Sequence, residues 1–520
     1  MSKGKTLVLS FLQTDLYRRF RICSFGKGVV IMKTTEMLAE EMPLTQRKEE
    51  LKKMAAAYER QHAPQVELQD QRALYHLMPP VGWLNDPNGL CWYKGRYHVF
   101  FQYSPFTPQG GMKMWGHYSS PDLLHYEYHG IAIVPDEAYD KDGVYSGSAI
   151  CQGDKMYVFY TGNVKEEGDH DYIFSGRGAN VIRMESEDGI HFEKKTCILT
   201  NEDYPEECTC HVRDPKLYVG EDGAYRMVLG ARLKEEKGAV LLYRSEDLLH
   251  FRLEEMYTTP EAFGYMWECP DIFEMEGHKI LAVCPQGVER GTERYQNIYQ
   301  SGYYVQDSKE LTEWDMGFDF YAPQTFDAPG GRRILIGWAG VPDAGYDSNP
   351  LEEGWQHCLT VPRELTWCNG KIYQYPVPEL TKLRGGEWIP DVTGRVTIPG
   401  KCGEILAEDI GTEQGAVYMG SGCVIKWDKG HVTLSFEDET GAGRSVRNAQ
   451  VSRVESIRIL VDVSILEVYI NRGEVVMTSR FFMEQPDMDV RFEGRADRLE
   501  FYQIGGRVCE TFSSDWGGTD

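Results

Sequence analysis

The spacing of hydrophobic and polar positions changes near residue 75. From there on, short apolar runs alternate with turns that contain glycine or an acidic residue, and many runs place apolar side chains at every second position. Such alternation around short turns is typical of antiparallel β-hairpins. Five hairpins are predicted in this part of the chain, over residues 90–103, 149–162, 216–231, 271–285 and 324–340.

A second pattern recurs between the predicted hairpins. A serine is followed by an acidic residue two positions later and by an aromatic residue four positions after the acid, starting at Ser120, Ser186, Ser245 and Ser308. Successive motifs start 59 to 66 residues apart. A repeat of this size indicates units that cannot bury their own faces and therefore pack side by side. Together with the hairpins, it predicts an all-β, five-bladed β-propeller over residues 71–385.

The residues just before each predicted hairpin are polar or are marked by proline. They are Asn85-Asp86-Pro87, Tyr145-Ser146-Gly147, Arg213-Asp214-Pro215, Glu268-Cys269-Pro270 and Ala322-Pro323. In a propeller, this place belongs to the innermost strand of each blade, which lines the central channel. We therefore expect three carboxylates, those of Asp86, Asp214 and Glu268, to face one another in one funnel.

The segments on either side of the predicted propeller differ from it in their pattern of hydrophobic and polar residues. Residues 35–70 are rich in helix formers and predict an N-terminal helix, with Thr45 as its expected cap, that packs on the surface of the propeller. Residues 390–520 predict a β-sandwich, whose strands include a pair joined by an Asn471-Arg472-Gly473 turn. Asp462 is expected to be a turn or edge residue of this sandwich rather than a catalyst.

Residues 1–34 are predicted to be a leader or a disordered segment. The apolar run at 7–12 is short for the core of a signal peptide, and no small-residue cleavage site follows it promptly. Basic character falls after Lys33, and Gly26-Lys27-Gly28 can be encoded by purine-rich codons of the kind found in ribosome-binding sites. Met32 is therefore a candidate translation start, with residues 1–31 as a translated leader.

Composition and charge exclude several classes of partner. A formal charge of −25 argues against nucleic acid and anionic membranes. The 13 cysteines are scattered without a Cys-x-x-Cys pair, which fits a reducing compartment, and no apolar run is long enough to span a bilayer. Cys208, Cys210 and His211 lie close together in sequence, but no second pair stands at zinc spacing, so we expect no metal site. These features predict a cytoplasmic location.

Three facing carboxylates indicate acid–base chemistry. Two close carboxylates cannot both be ionised cheaply, so one keeps its proton and can donate it. Glu268, between Trp267 and Cys269, has the least polar sequence neighbours and is expected to be this general acid. Asp86, beside the amide of Asn85, is expected to stay ionised and act as a nucleophile. An acid and a nucleophilic carboxylate are what glycoside cleavage through a covalent intermediate requires.

The third carboxylate, Asp214, is expected to hold sugar hydroxyls while positive charge develops on the ring. Arg213 precedes it and, on a regular strand, would point to the opposite face; an irregular strand would let it enter the pocket. Trp115 lies in a glycine-flanked run that predicts a loop. The polar and aromatic groups available to a sugar are Gln102, Trp115, Tyr145, Ser146 and Trp338, although ordinary strand packing explains any one of them equally well.

Several motifs occur in a fixed order: WLNDPNG (83–89), FFQY (100–103), WGH (115–117), YSGSA (145–149), HVRDP (211–215), WECPD (267–271) and GWAG (337–340). In this combination the chain resembles glycoside hydrolase family 32, the family of invertases, sucrose-6-phosphate hydrolases and fructanases, over roughly residues 75–500. The resemblance implies a five-bladed propeller followed by a β-sandwich, and a retaining mechanism without a cofactor.

The resemblance also implies a role for each motif residue. Asp86 would be the nucleophile, Glu268 the acid/base and Asp214 the transition-state stabiliser. The implied fructose-binding positions are Asn85, Gln102, Trp115, Tyr145, Ser146, Arg213 and Trp338. The chain departs from the family pattern at residues 109–111, a Gln-Gly-Gly run where many members carry a tryptophan.

The activity expected from these features is hydrolysis of the terminal β-fructofuranosyl bond of sucrose or sucrose-6-phosphate, a small-molecule sugar. An exo-acting hydrolase of inulin or levan, or a fructosyltransferase, would use the same three acids and stays open. A non-catalytic sugar-binding propeller is disfavoured, because a binder has no use for a protonated carboxyl beside an anionic one. No Lys or Arg at the pocket rim can be named from the sequence, and a homo-oligomer formed through the sandwich stays open.

Overall fold

The computed structural model describes residues 20–25, 28–33, 35–306, 308–346, 353–389, 394–437 and 439–509. Two strands at its start, β1 (Phe20–Phe25) and β2 (Gly28–Lys33), form an antiparallel hairpin. The rest of the segment predicted as a leader or as disordered lies outside the described residues, and that expectation stays a prediction. None of the described helices is both long and apolar enough to cross a bilayer.

Two helices follow the hairpin, α1 (Thr35–Glu40) and α2 (Leu44–Val66). The expectation of Thr45 as the cap was wrong, because the N-cap position is Pro43 and no side chain bonds to the first turn. Proline suits a helix start, since its fixed φ is compatible with the helix and its missing N–H would find no intrahelical partner there.

Residues 82–376 form five sheets that follow one another along the chain. Each sheet is a meander whose strands pair mostly in chain order. The blades are β3 (Gly82–Tyr93), β4 (Arg96–Ser104), β5 (Met114–Ser120) and β6 (Glu127–Ile133); β7 (Val144–Gln152), β8 (Lys155–Lys165), β9 (Arg177–Ser186) and β10 (Glu193–Leu199); β11 (Cys208–Val219), β12 (Tyr225–Leu233), β13 (Lys237–Ser245) and β14 (Arg252–Tyr257); β15 (Met266–Met275), β16 (His278–Gln286), β17 (Gly302–Val305) and β18 (Thr312–Glu313); and β19 (Tyr321–Ala328), β20 (Arg332–Trp338), β22 (Arg363–Cys368) and β23 (Lys371–Pro376), with β21 (Trp355–Gln356) between them in sequence.

The five sheets close into a ring. Their first strands, β3, β7, β11, β15 and β19, contact one another in this order, and β19 contacts β3 again. Strand β21 lies between two strands of the last sheet in sequence but belongs to the first sheet, where it pairs in parallel with β3. Next to this pair, Gly82 N donates to Gly354 O at 2.8 Å. The first strand of every blade therefore lines a central channel, as the sequence predicted, and each predicted hairpin is present.

The recurring serine–acid motif forms the turn that leads to the outermost strand of a blade. In the first three copies the acid accepts hydrogen bonds from two backbone N–H groups, as Asp122 does from Leu124 and His125 at 3.1 and 3.0 Å. Aspartate favours such turns because its short side chain reaches the backbone two residues on. The repeat seen in the sequence is thus a repeated turn.

The C-terminal part is a sandwich of two six-stranded sheets, and its first strand begins at Arg384, ahead of the expected boundary at residue 390. The strands are β24 (Arg384–Trp388), β25 (Arg395–Ile398), β26 (Cys402–Ile410), β27 (Gln414–Met419), β28 (Cys423–Asp428), β29 (His431–Phe436), β30 (Val446–Gln450), β31 (Ile457–Asp462), β32 (Ile465–Ile470), β33 (Val475–Arg480), β34 (Met488–Glu493) and β35 (Ala496–Ile504). Sheet orders are β24-β35-β26-β31-β32-β33 and β25-β34-β27-β28-β29-β30. Apolar side chains of both sheets fill the space between them. The predicted fold class, a propeller followed by a β-sandwich, is confirmed.

Asp462 ends strand β31 and begins the turn to β32, as the sequence predicted: Ser464 N donates to its carbonyl oxygen at 2.6 Å. Its carboxylate is fully buried and accepts hydrogen bonds from the backbone N–H groups of Leu74, Tyr75 and His76 at 2.7 to 2.9 Å. A buried carboxylate needs such donors to offset its lost hydration. Asp462 thus ties the segment that enters the propeller to the sandwich, a contact between residues almost 400 positions apart.

Helix α2 packs against the first blade through residues spaced four apart. Leu51, Ala55 and Glu59 lie on this buried face. The Glu59 carboxylate accepts hydrogen bonds from the hydroxyls of Tyr103 and Tyr128, both at 2.8 Å. Burial raises the pKa of Glu59 to about 7. The predicted surface helix is therefore anchored by an ionisable group.

Candidate active site

The innermost strand of every blade is irregular at the same level of the channel. The pairing register shifts between Leu84 and Pro87, Val144 and Gly147, Arg213 and Lys216, Glu268 and Asp271, and Tyr321 and Gln324. A shift of this kind bends a strand and re-aims its side chains. In a regular strand neighbouring residues would face opposite sides, so the irregularity lets two consecutive residues face the channel.

The third blade shows the effect most clearly. Asp214 has a φ of +63°, in the left-handed region that non-glycine residues seldom adopt. Its N–H donates to Thr161 Oγ1 at 2.9 Å, which holds this conformation. As a result Arg213, expected to face away on a regular strand, enters the site and donates to Glu268 Oε1 at 2.7 Å.

A chain of hydrogen bonds holds Asp86 from two blades. Ser146 Oγ donates to Asp86 Oδ2, and Asn85 Nδ2 donates to Asp86 Oδ1 at 3.1 Å. Gln102 links the two donors: its Oε1 accepts from Asn85 Nδ2 and its Nε2 donates to Ser146 Oγ, both at 2.7 Å. Four residues predicted as parts of the site thus form one network.

Two opposing effects act on the charge of Asp86. Burial raises its pKa, and the nearby charge of Glu268 raises it further. The hydrogen bonds from Ser146 and Asn85 favour the ionised form and lower the pKa. The arrangement keeps a buried carboxylate ready to ionise, as a nucleophile requires.

Glu268 lies in a more polar environment than its sequence neighbours suggested, and the expectation of an apolar surrounding was wrong. Besides Arg213, it accepts hydrogen bonds from Gln286 Nε2 at 2.8 Å and from the Tyr321 hydroxyl at 2.9 Å. All three donors come from other strands, two of them in other blades. The sequence analysis missed Gln286 and Tyr321; the signal available for Tyr321 was its place just before Ala322-Pro323 on the fifth inner strand.

Asp214 is the most strongly affected of the three carboxyl groups. It is 5% exposed, and burial, together with the charges of Glu268 and Asp86, raises its pKa to about 7. Arg213 and a 2.8 Å hydrogen bond from Cys269 N oppose the rise. The three acids therefore form one electrostatic unit, in which removing one negative charge makes the others easier to ionise.

The aromatic residues predicted for the site occupy two layers. Tyr145 is half-buried, and the Arg213 guanidinium lies 5.1 Å from the centre of its ring. Trp115 lies in strand β5, not in the loop that the sequence predicted, because its run pairs with strand β4. It is fully buried and donates from Nε1 to Tyr145 O at 3.0 Å, so it supports the inner wall from behind.

Trp338 is also almost fully buried, at 2% exposure. Its ring packs edge-on against His357, with centroids 4.9 Å apart, and lies 6.3 Å from the ring of Trp83. Trp83 is half-buried and donates from Nε1 to Asn85 Oδ1 at 2.9 Å. Lys113 donates to the same oxygen at 3.1 Å, next to the Trp83 ring. Trp83 and Lys113, which the sequence analysis did not single out as site residues, thus fix the amide of Asn85.

Comparisons with known proteins agree with this geometry. The family model described as "Glycosyl hydrolases family 32 N-terminal domain" matches residues 76–376, and the model "Glycosyl hydrolases family 32 C terminal" matches residues 426–511. A sucrose-6-phosphate hydrolase of Bacillus subtilis (strain 168) is 38% identical over 467 residues, which cover 84% of this chain and 95% of that protein.

Solved structures give the same result. The sucrose-6-phosphate hydrolase from Lactobacillus gasseri superposes with a TM-score of 0.79 at 30% identity, covering 87% of this chain and 97% of that one. The Bombyx mori β-fructofuranosidase BmSUC1 superposes with a TM-score of 0.77 at 30% identity, covering 89% and 99%. A mutant of the Bombyx mori enzyme has been solved in complex with sucrose.

Proposed function

This chain belongs to glycoside hydrolase family 32, and we propose that it hydrolyses the terminal β-D-fructofuranosyl bond of sucrose or sucrose-6-phosphate with retention of configuration. The names of the relatives support the substrate, since sequence identities of 34 to 38% extend over about four fifths of the chain. Members of this family hydrolyse glycosidic bonds, and the substrate of this chain is a small-molecule sugar.

In the proposed reaction Asp86 attacks the anomeric carbon of the fructosyl unit while Glu268 gives a proton to the departing oxygen. Water then attacks the fructosyl–Asp86 ester, and Glu268 takes up the proton from that water. Asp214 holds fructosyl hydroxyls as positive charge develops on the ring. Retaining enzymes of this kind place the two reacting carboxyl groups about 5–5.5 Å apart, which is the separation we predict for Asp86 and Glu268.

One observation carries this assignment: the donors around the two reacting acids differ in kind. Among the residues that the structure describes, Asp86 accepts from two neutral groups, Ser146 and Asn85, whereas Glu268 accepts from the charged Arg213. A nucleophile benefits from weaker donors that leave its charge available. An acid/base benefits from a fixed orientation in both of its protonation states.

The remaining predicted residues are assigned to sugar binding. Asn85, Gln102, Ser146 and Tyr145 are proposed to contact the fructosyl unit directly. Arg213 is proposed to lie between fructosyl and leaving sugar. Trp338 is proposed to shape the pocket, and so is Trp115, which lies behind Tyr145. A cytoplasmic location and a homo-oligomer through the sandwich also stay proposals, which fractionation and light scattering can check.

The test is a rate assay on sucrose, sucrose-6-phosphate, inulin and levan, with Glu268→Gln as the key variant. We expect wild-type activity on at least one of the two small sugars and a loss of several orders of magnitude in kcat for Glu268→Gln. The control is Glu274→Gln, which changes an exposed glutamate of the same strand and should retain activity.

Thermal unfolding of both variants separates catalysis from folding. Each should stay within about 1–2 kcal/mol of the wild type, since neither side chain anchors the core. Full activity of a folded Glu268→Gln variant would overturn the assignment of Glu268 as the acid/base. Wild-type activity on inulin or levan alone would show that fructans, and not the two small sugars, are the substrate.

A further inference from the structure

A histidine connects the propeller and the sandwich at a place that the proposed reaction does not use. His76 precedes Asp86 by ten residues, and its side chain is fully buried. Its Nδ1 lies 2.8 Å from Asp462 Oδ2, and its Nε2 lies 2.9 Å from Glu467 Oε1. Both carboxylates are fully buried and belong to the sandwich, at the end of β31 and within β32. The imidazole ring therefore reaches from the segment that enters the propeller to two buried acids of the sandwich.

The positions of the ring nitrogens fix the protonation state of His76. A neutral imidazole carries one N–H, so its other nitrogen is only an acceptor. In either tautomer that nitrogen would face a carboxylate oxygen, at 2.8 or 2.9 Å, and an ionised carboxylate can only accept. An imidazolium donates from both nitrogens and therefore satisfies both contacts.

The two acids around the ring are held in their ionised form. Glu467 Oε2 accepts two hydrogen bonds from the Arg363 guanidinium, at 2.6 and 3.0 Å. Burial raises the pKa of Glu467, but the charges of Arg363 and His76 and the hydrogen bonds outweigh burial and lower it to about 2. Asp462 accepts from the backbone N–H groups of residues 74–76, and such donors favour a carboxylate over a carboxylic acid. The proton therefore resides on the ring rather than on either acid.

The other charged or titratable groups around this contact favour the same state. They are Arg363, Asp315, Glu404, Tyr75, Tyr469, Cys358 and Cys402. Burial raises the pKa of the two tyrosines and of the two thiols, so these four groups are neutral. Glu404 is paired with arginines of its own sheet, and Arg363 is paired with Asp315 at 3.1 Å. With a neutral ring, one cation would face the three buried carboxylates of Asp315, Asp462 and Glu467.

The same contacts make the charge of His76 depend on folding. Burial alone would lower the pKa of His76, but the hydrogen bonds and charges of Asp462 and Glu467 outweigh burial and raise it above its ordinary 6.5. In the unfolded chain the ring loses both partners. The folded protein therefore keeps the proton to higher pH than the unfolded chain does. The stability that this proton contributes is complete below pH 6.5 and is lost as pH rises above that value.

We propose that His76 is an imidazolium that holds the segment entering the propeller against the sandwich, and that this contact loosens when the ring loses its proton at alkaline pH. Without the proton, one ring nitrogen and the carboxylate oxygen that it faces are two acceptors in contact, with no donor between them. Residues 74–76 are then held less firmly on Asp462, at the point where the chain passes from helix α2 to strand β3. This switch depends on the contact between two parts of the fold and not on which sugar is the substrate.

Nitrogen NMR of the full chain, labelled with ¹⁵N-histidine, tests the charge of the ring directly. At pH 7.5, where an ordinary histidine is mostly neutral, both ring nitrogens of His76 should carry a proton. Glu467→Gln removes one of the two charges with little change in shape, and should lower the pKa of His76 by about 1–3 units. A neutral His76 ring at pH 7.5 in the folded wild type would overturn the proposal, and so would an unchanged pKa in folded Glu467→Gln.

Urea unfolding between pH 7 and pH 9 tests the link to stability. The midpoint should fall more steeply with pH in the wild type than in His76→Gln, because the other titrating groups are the same in both proteins. The control is His117→Gln: His117 is also buried, but it bonds to His98 Nδ1 at 3.0 Å rather than to a carboxylate, and burial lowers its pKa. Its profile should run parallel to that of the wild type. If His76→Gln does not fold, Glu467→Gln takes its place.

Hydrogen exchange locates the loosening in the wild type without any variant. The backbone N–H groups of residues 74–76 are bonded to Asp462, so their protection, corrected for the faster chemical exchange at high pH, should fall between pH 7 and pH 9. Constant protection of these three amides would show that the contact does not loosen. Parallel urea profiles for the wild type and His76→Gln would likewise count against the switch.

Discussion

Replacing Ser146 by alanine tests whether hydrogen bonding sets the charge of Asp86. The Ser146 hydroxyl donates to Asp86 Oδ2 and stabilises the carboxylate more than the neutral acid. Without that donor the pKa of Asp86, already raised by burial, should rise further. Asp86 must be ionised to attack, so the acid limb of the kcat/KM profile should move to higher pH.

The size of the shift follows from the bond that is lost. A hydrogen bond to a charged group contributes about 1.5–3 kcal/mol, and one to a neutral group about 0.5–1.5 kcal/mol. The difference of about 1–1.5 kcal/mol corresponds to roughly one pH unit. Ser146→Ala should therefore move the acid limb upward by about one unit, in addition to any loss at the optimum from weaker sugar binding.

The assay is initial-rate hydrolysis across the acid limb, at substrate concentrations well below KM. Ser148→Ala is the matched control: Ser148 lies on the same strand, is equally buried, and donates to Pro215 O at 2.8 Å rather than to a carboxylate. It should lower stability to a similar degree and leave the limb in place. The reasoning is refuted if the Ser146→Ala enzyme is folded and the acid limb of its kcat/KM profile lies at the same pH as in the wild type, or at lower pH.

Two further predictions concern stability. The folded state holds the proton of Glu59 up to a pKa of about 7 against an ordinary 4.5, so its contribution to stability falls as pH rises between these values, by about 3 kcal/mol in total. Glu59→Gln should remove this dependence and raise the melting temperature relative to the wild type at pH 8 but not at pH 4.5; equal pH dependence in both proteins would contradict it. Asp462→Ala leaves the backbone N–H groups of residues 74–76 without their acceptor and should cost about 3–5 kcal/mol in urea unfolding. A loss below about 1 kcal/mol would show that water replaces the carboxylate.

Much of the fold could be read from local patterns. Period-two alternation gave the hairpins, and the spacing of the serine–acid motifs gave the repeat, because both features depend on residues a few positions apart. The motif order gave the three acids for the same reason. Trp115 shows the limit of local reading: its flanking glycines indicated a loop, but pairing with β4 made its run a strand. Cross-strand hydrogen bonds outweighed the local preference.

The sequence by itself therefore determined the class of fold, the place of each acid on an inner strand and the family. Only the tertiary structure decided what surrounds each acid. Glu268 lies among apolar residues in sequence, yet its donors Arg213 and Tyr321 come from 55 and 53 positions away. Ser146 becomes a neighbour of Asp86 only when the first and second blades meet. The reason is physical: the charge state and role of a buried group depend on the groups within a few ångströms, and a closed ring of blades brings those from distant parts of the chain.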